Sequence, residues 1–101
     1  MKLYLNSRNG QCKAIAEYND KGFIILKNSM ISQNISTKTA ISKKVISYRN
    51  DKQYVKNNKV IKDVVFKSPS LAAQFVLGYI MNGKRAWKNE NGISLKELEK
   101  K

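Results

Sequence analysis

The sequence predicts an α+β fold, in which a small, mostly antiparallel sheet carries two main helices and a short C-terminal helix. Three observations favour this class. The first third of the chain alternates apolar and polar residues as strands do, two later segments repeat apolar residues at helical spacing, and a helix-capping pattern lies close to the end. The 101 residues suit a single domain over 1–101 with one modest hydrophobic core.

The strands are predicted from alternation and from the turn residues between them. Residues 14–18 and 22–26 flank a turn-rich Asn-Asp-Lys linker and are expected to form a hairpin. Residues 2–5 also alternate and are expected to be an edge strand of the same sheet. A shorter second hairpin is expected from 54–55 and 59–61, because an Asn-Asn pair separates these two runs.

The first helix is predicted over 36–49, where the apolar period changes from that of a strand to that of a helix. Its apolar face is expected to consist of Ile41, Val45, Ile46 and Tyr48. Ser36 or Thr37 would supply the N-cap, since a hydroxyl accepts from the free N–H groups of a first turn. Lys43 and Lys44 fall on the outer flank of this helix.

The second helix is predicted to begin at the only proline of the chain. Ser68 suits the N-cap, and Pro69 suits the first helical position because its missing N–H is not needed there. Gly78 is placed to end the helix, since glycine adopts the left-handed conformation of a C-terminal cap. The apolar face is expected to be Leu71, Ala72, Phe75, Val76 and Tyr79.

The C-terminal region is predicted to hold one more strand and one more helix. A turn at 82–83 is expected because Asn and Gly both tolerate positive φ, and a strand at 84–88 would carry Trp87, the only tryptophan. After a polar turn, Ser94 and Glu97 have the spacing of a capping box for a short last helix.

The charge of the chain is its most unusual property. Twenty lysines and arginines against seven acidic residues give a net charge of +13, divided as +7 over 1–50 and +6 over 51–101. Because no basic tail accounts for this charge, the folded surface itself must be positive and must favour polyanions, nucleic acid before an anionic membrane. An AT-rich genome would also encode many lysines. Such a bias need not lower the number of Asp and Glu residues, however, so it does not account for the whole charge imbalance. Only Arg8, Arg49 and Arg85 are available for bidentate contacts to guanine, so phosphate contacts should dominate over base readout.

The residue types needed for most enzyme chemistry are absent from the sequence. There is no histidine, hence no usual general base or metal ligand, and the single cysteine, Cys12, is interpreted as a semi-buried apolar residue. The seven carboxylates and five glycines are too scattered for a metal site or a phosphate loop. We therefore predict a non-catalytic protein without cofactor or metal. The lone cysteine and the lack of a secretory or membrane-spanning segment predict a cytoplasmic location.

The stretch from 66 to 98 resembles an uncharacterised domain often found C-terminal to GIY-YIG nuclease modules. The matching positions are Ser68, Pro69, Ser70, Ala72, Ala73, Gly78, Asn82, Gly83, Trp87, Lys88, Gly92 and Leu95. The resemblance covers about 14–101 and is shared in pattern with the restriction-enzyme and DNA-methylase associated (RAMA) domain. It implies an accessory module of restriction, modification or nuclease systems that contacts DNA. The chain departs from the pattern at Lys84, where the family usually has an aromatic residue, and at Asn28, where it tends to have glycine.

The candidate binding residues for nucleic acid, with DNA favoured, come from the same stretch and from the first helix. They are Lys67, Ser68, Ser70, Lys84, Arg85, Trp87, Lys88, Lys43 and Lys44. The two serines could form an anion site at a helix start or act only as caps, and capping is the favoured interpretation. Trp87 could stack on a base, but a core position is favoured.

The second helix and the Trp87 segment are expected to pack together, because a tight corner joins them. This packing would place Lys67 and the basic group of Lys84, Arg85 and Lys88 at the rim of one surface. The alternative function is a protein-interaction module that docks a nuclease or methylase chain.

Overall fold

The structure, a computed structural model, describes residues 1–7, 10, 12–36 and 41–100, and it confirms the α+β class. The strands are β1 (Lys2–Asn6), β2 (Lys13–Asn19), β3 (Gly22–Ile25), β4 (Val55–Lys56), β5 (Lys59–Val60) and β6 (Val64–Phe66). The helices are α1 (Lys43–Asn50), α2 (Pro69–Leu77), α3 (Gly83–Ala86) and α4 (Leu95–Leu98).

Four antiparallel strands form the main sheet in the order β1-β2-β3-β6, and β4 pairs with β5 in a separate two-stranded sheet. Both predicted hairpins and the edge position of β1 are therefore confirmed. In the second hairpin, Asn57 and Asn58 have φ values of 53° and 63°. Two successive left-handed residues make the tight turn that asparagine tolerates best after glycine, which explains the Asn-Asn pair.

The strand β6 was not predicted from the sequence. It pairs with β3, and its side chains alternate between the core and the solvent, with Val64 and Phe66 buried and Val65 exposed. Three residues are too few for alternation to be distinguished from a short apolar run, so only the pairing with β3 reveals this strand.

The hydrophobic core lies between the inner face of the sheet and α2. Phe23 on β3 contacts the ring of Trp87 at a centroid distance of 4.8 Å, and Phe66 contacts Phe75 on α2 at 5.3 Å. Trp87 has no exposed surface (0%), and its Nε1 donates to the Pro69 carbonyl oxygen at 3.2 Å. The favoured interpretation of Trp87 as a core residue agrees with this position, and the expected packing of its segment against α2 is observed.

The helix α1 starts later than predicted. It begins at Lys43 after Ser42, whose side chain makes no capping hydrogen bond, and Val45 is its buried residue. Ser36 is not helical, because its N–H donates to the Gly78 carbonyl oxygen at 2.7 Å and ties this segment to the end of α2. Thr37, the other predicted cap, lies outside the described residues.

The helix α2 matches its predicted capping at both ends. The Ser68 hydroxyl accepts from the Leu71 N–H at 3.2 Å, and Gly78 ends the helix with φ of +82°. Tyr79, predicted on the apolar face, is instead 45% exposed. The left-handed Gly78 turns the chain away from the helix axis, so Tyr79 leaves the core-facing stripe.

The strand predicted at 84–88 is wrong, because α3 forms a single helical turn there. The Asn82 side chain accepts from the Lys84 N–H at 3.1 Å and caps this turn. Asn82 has φ of −65°, and Gly83 is not among the residues with positive φ. Glycine is needed at 83 for a different reason: a Cβ there would lie 2.2 Å from the backbone of Pro69 and Ser70.

The C-terminal helix α4 follows its predicted cap, since the Ser94 hydroxyl accepts from the Glu97 N–H at 3.3 Å. Between α3 and α4, Lys88 extends the sheet by one bridge to β1. The Tyr4 N–H donates to the Lys88 carbonyl at 2.6 Å, and the Lys88 N–H donates to the Tyr4 carbonyl at 2.9 Å. No helix in the described part of the chain is long and apolar enough to cross a membrane.

Candidate nucleic-acid interface

The basic group predicted around Trp87 divides into two parts in the structure. Lys84 points to α4, where its Nζ lies 3.2 Å from a Glu99 carboxylate oxygen. Arg85 and Lys88 are exposed, and neither forms an ion pair with any described residue. Since Lys84 is already neutralised locally, Arg85 and Lys88 are the cations of this region that remain available for a ligand.

Arg85 and Lys88 line a concave surface made of two adjoining pockets. The first pocket, of about 600 Å³, lies between the end of β1, the end of α2 and α3, and it contains Tyr79, Met81 and Arg85. The second pocket, of about 470 Å³, lies on the other side of Lys88 and contains Tyr4. Asn6, Ala86 and Lys88 belong to both pockets. We call the two pockets together the Arg85 groove.

The start of α2 is closed by protein and not open to an anion. The Ser70 hydroxyl accepts from the Gly83 N–H at 3.2 Å, and Gly83 itself lies against the backbone of Pro69 and Ser70. Together with the Ser68 cap, this contact favours the capping role of both serines. Lys67 is exposed next to this junction but does not line the Arg85 groove.

The remaining predicted binding residues lie apart from the groove. Trp87 is fully buried and offers no free ring face on which a base could stack. Lys43 and Lys44 are exposed in the first turn of α1, which contains no acidic residue. They add positive charge to the surface without lining either pocket.

A row of exposed side chains, which the sequence alone did not indicate, continues from the groove across the sheet edge. Cross-strand pairing aligns Asn6, Lys13, Met30, Lys59 and Lys56 in this order. Residues that are directly opposite in antiparallel pairs point to the same face, so the three lysines share one side. Lys56 and Lys59 face each other without an acidic partner among the described residues, an unfavourable like-charge pair that a bound anion would relieve. We call these five residues the lysine row.

Arg49, one of the three arginines counted as available for guanine, is instead a structural residue. It is half-buried at the end of α1, and its guanidinium donates to the carbonyl oxygens of Phe75 and Ser32. Burial lowers the pKa of Arg49, although the hydrogen bonds keep the charged group well satisfied. In the sequence, the only indication of this structural role was the position of Arg49 beside the predicted apolar face of a helix.

We expect Arg49→Met to destabilise the protein by about 2–3 kcal/mol, because two carbonyl oxygens lose a charged donor while the apolar stem is kept. Thermal unfolding followed by circular dichroism measures this as a Tm lower by about 10 °C or more. Lys44→Met, at an exposed position of the same helix, is the control and should change Tm by little. Equal Tm values for the Arg49 variant and the wild type would contradict the structural role.

The interior position of Cys12 agrees with its prediction as an apolar residue. Its side chain is 3% exposed, and its thiol lies 3.6 Å from the Val76 carbonyl oxygen. Burial raises the pKa of the Cys12 thiol, against smaller opposite effects of Ser7 and Arg49. Within the described ranges, no three His, Cys, Asp or Glu side chains come together as a metal-binding group.

Comparison with known proteins assigns the chain to a family. A search of curated proteins and a search of solved structures find no significant match. A family described as Domain of unknown function (DUF4357) matches residues 3–99, which include β2 through α4, all of β1 except Lys2 and every residue of the Arg85 groove. Because the match spans nearly the whole chain, this protein belongs to the DUF4357 family, an uncharacterised domain family.

Proposed function

We propose that this chain is a non-catalytic accessory module that binds nucleic acid, with DNA as the favoured ligand, in a restriction–modification or nuclease system. The observation that carries the proposal is the Arg85 groove, which adjoins the lysine row. There, two cations that pair with no described acidic residue lie beside the exposed ring of Tyr79 and the half-exposed ring of Tyr4. Aromatic side chains together with a basic track are the combination that binds nucleic-acid strands.

The charge of the whole protein supports the same ligand. In the described part of the chain, acidic residues pair only with Lys84, Lys100 and the N-terminal amine. The other described lysines therefore contribute to a positive field with little local neutralisation, within a net charge of +13. Such a field attracts phosphate groups and accelerates association with polyanions.

The assignment to a restriction–modification or nuclease system rests on the sequence resemblance. The pattern from Ser68 through Trp87 is similar to the domain that follows GIY-YIG nuclease modules and to the RAMA domain. In the structure, three residues of this pattern make hydrogen bonds that hold the scaffold together: the Ser68 hydroxyl caps α2, the Ser70 hydroxyl accepts from the Gly83 N–H, and Trp87 Nε1 donates to the Pro69 carbonyl oxygen. The shared pattern thus supports a shared scaffold, and the cations around it supply the binding surface.

A salt titration tests the proposal. If the protein neutralises about five phosphates, a plot of log K against log[salt] should have a slope of about −4.5 with a labelled DNA strand or duplex, because each neutralised phosphate releases about 0.9 counterions from duplex DNA and somewhat fewer from a single strand. Fluorescence anisotropy between about 0.05 and 0.2 M salt measures this slope. The absence of binding to both ligands at the lowest salt concentration would refute the proposal.

A second candidate is a module that docks a nuclease or methylase chain. The outer face of the main sheet favours it, since Ile15 and Val65 are 39% and 45% exposed on neighbouring parts of that face. A stable complex with such a chain, lost in Val65→Glu while the protein remains folded, together with negligible affinity for nucleic acid, would support docking over nucleic-acid binding.

A further inference from the structure

We infer that the Arg85 groove binds an unpaired strand, with two successive nucleotides in its two pockets and the phosphate between them near Lys88. This inference rests on the proposed function and specifies the form of its ligand. It follows from the shape of the groove, from the placement of two tyrosines and from the pairing of Lys88 with β1.

Each pocket has the size and the lining that suit one nucleotide. Volumes of about 600 and 470 Å³ lie within the range of small-ligand sites. The first pocket combines the exposed ring of Tyr79 with the apolar Leu77 and Met81 and the cation of Arg85. A flat base could lie against the tyrosine while its phosphate meets the arginine. The second pocket is more polar, and it offers the ring of Tyr4 and the cation of Lys88 beside Asn89 and the Glu90 carboxylate.

The bridge between Lys88 and β1 holds Lys88 directly beside Tyr4 at the second pocket. Tyr4 and Lys88 exchange both backbone hydrogen bonds, so they are directly opposite residues of an antiparallel pair. The Cβ atoms of such pairs are about 5.5 Å apart and point to the same face. Lys88 also lines the first pocket, so a phosphate linking the two bound nucleotides would pass next to this residue.

The geometry suits an unpaired strand better than a duplex. Bases enter concave pockets only when they leave their stack, which costs a few kcal/mol in a duplex and much less in a single strand. The elements at the groove offer little for duplex readout, because α3 has only four residues and presents no long helix to the major groove. A strand that leaves the groove past Asn6 would meet Lys13, Lys59 and Lys56 of the lysine row.

Binding should depend little on base sequence. The pockets present tyrosine rings, apolar side chains, the amides of Asn6 and Asn89 and the Glu90 carboxylate, and they contain one arginine for bidentate contacts. Stacking on a tyrosine is available to every base, whereas an arginine engaged with phosphate reads no base edge. We therefore expect single-stranded DNA of mixed sequence to bind, with similar affinity for different sequences.

The test compares a labelled single strand of about 12 nucleotides with the duplex of equal length, by fluorescence anisotropy at about 0.1 M salt. We expect the single strand to bind at least about tenfold more tightly than the duplex. Tyr79→Ala should weaken single-strand binding by about 5- to 100-fold, while Tyr79→Phe should keep most of the affinity, since the ring is retained. Ile80→Ala removes a neighbouring side chain that is 49% exposed and lines neither pocket, so it serves as the matched control.

Each result separates this inference from the proposed function. Salt-dependent binding that is equal for the two ligands or favours the duplex, or a Tyr79→Ala variant as tight as wild type on the single strand, would overturn the inference and leave the proposed function standing. Binding to neither ligand would refute both. Circular dichroism and Tm of each variant show whether the fold is retained, and Tyr79 lies outside the core, so folding should be unaffected.

Discussion

Replacing Gly83 by alanine is expected to destabilise the protein by about 3 kcal/mol or more, a large part of the stability of a domain of this size. The added Cβ would lie 2.2 Å from the Pro69 carbonyl carbon and the Ser70 nitrogen, and both are backbone atoms that cannot rotate away. The first turn of α2 and α3 would have to separate, which also stretches the hydrogen bonds of Ser70 and Trp87 across this junction. Thermal unfolding should show a Tm lower by about 12 °C or more.

Gly92→Ala provides the matched control for this experiment. Gly92 has φ of +79°, but no atom lies within 4 Å of a Cβ placed there. Alanine at 92 therefore carries only the cost of a left-handed conformation, about 1–2 kcal/mol. If the two variants lose equal stability, the contact between α2 and α3 is looser than the structure indicates, and the close approach of Gly83 would not explain this glycine.

Reversing the charges of Arg85 and Lys88, the two groove cations that pair with no described acidic residue, is expected to have the largest effect on binding. Arg85→Glu with Lys88→Glu removes two phosphate contacts and adds two repulsive charges beside the ligand, so nucleic-acid affinity should fall by about 100-fold near 0.1 M salt. The slope of log K against log[salt] should become shallower by about two, one unit for each lost contact. Anisotropy titrations at several salt concentrations measure both quantities.

Two controls distinguish a local site from diffuse attraction. Lys21→Glu with Lys52→Glu makes the same change in net charge at exposed positions outside the groove and the lysine row, and we expect a several-fold smaller loss of affinity. Lys84→Glu alone should also have a small effect on binding, because Glu99 already pairs with that lysine. Equal losses from the two double variants would mean that the charge acts over the whole surface, and the placement of the site at the groove would be wrong.

The structural junction and the binding groove are close together but respond to different substitutions. Gly83 and Trp87 are buried and hold α3 against α2, whereas Arg85 and Lys88 lie on the exposed side of the same segment. Variants at the first pair should change Tm, and variants at the second pair should change affinity with Tm retained. This separation allows loss of binding to be assigned to the ligand contacts and not to unfolding.

Sequence alone determined the elements whose signals are local. The two hairpins, both caps of α2 and the cap of α4 follow from residues that are near one another in the chain: turn asparagines, Ser68 with Pro69, Gly78, and Ser94. In these elements the hydrogen bonds join residues a few positions apart, so composition and spacing carry the information. The positive surface and the core position of Trp87 were likewise indicated by counts and residue type.

Tertiary structure alone decided the features that depend on residues far apart in the chain. β6 exists through pairing with β3, the Ser36 N–H is taken by Gly78, and α3 is set by the close approach of Gly83 to α2. The candidate site has the same origin. Strand register aligned the lysine row, and burial made Arg49 a structural residue. Glu99 pairs with Lys84, whereas Arg85 and Lys88 form no ion pair within the described part of the chain. The direction of a side chain and the identity of its partner are set by packing between distant segments, which local patterns of residues do not encode.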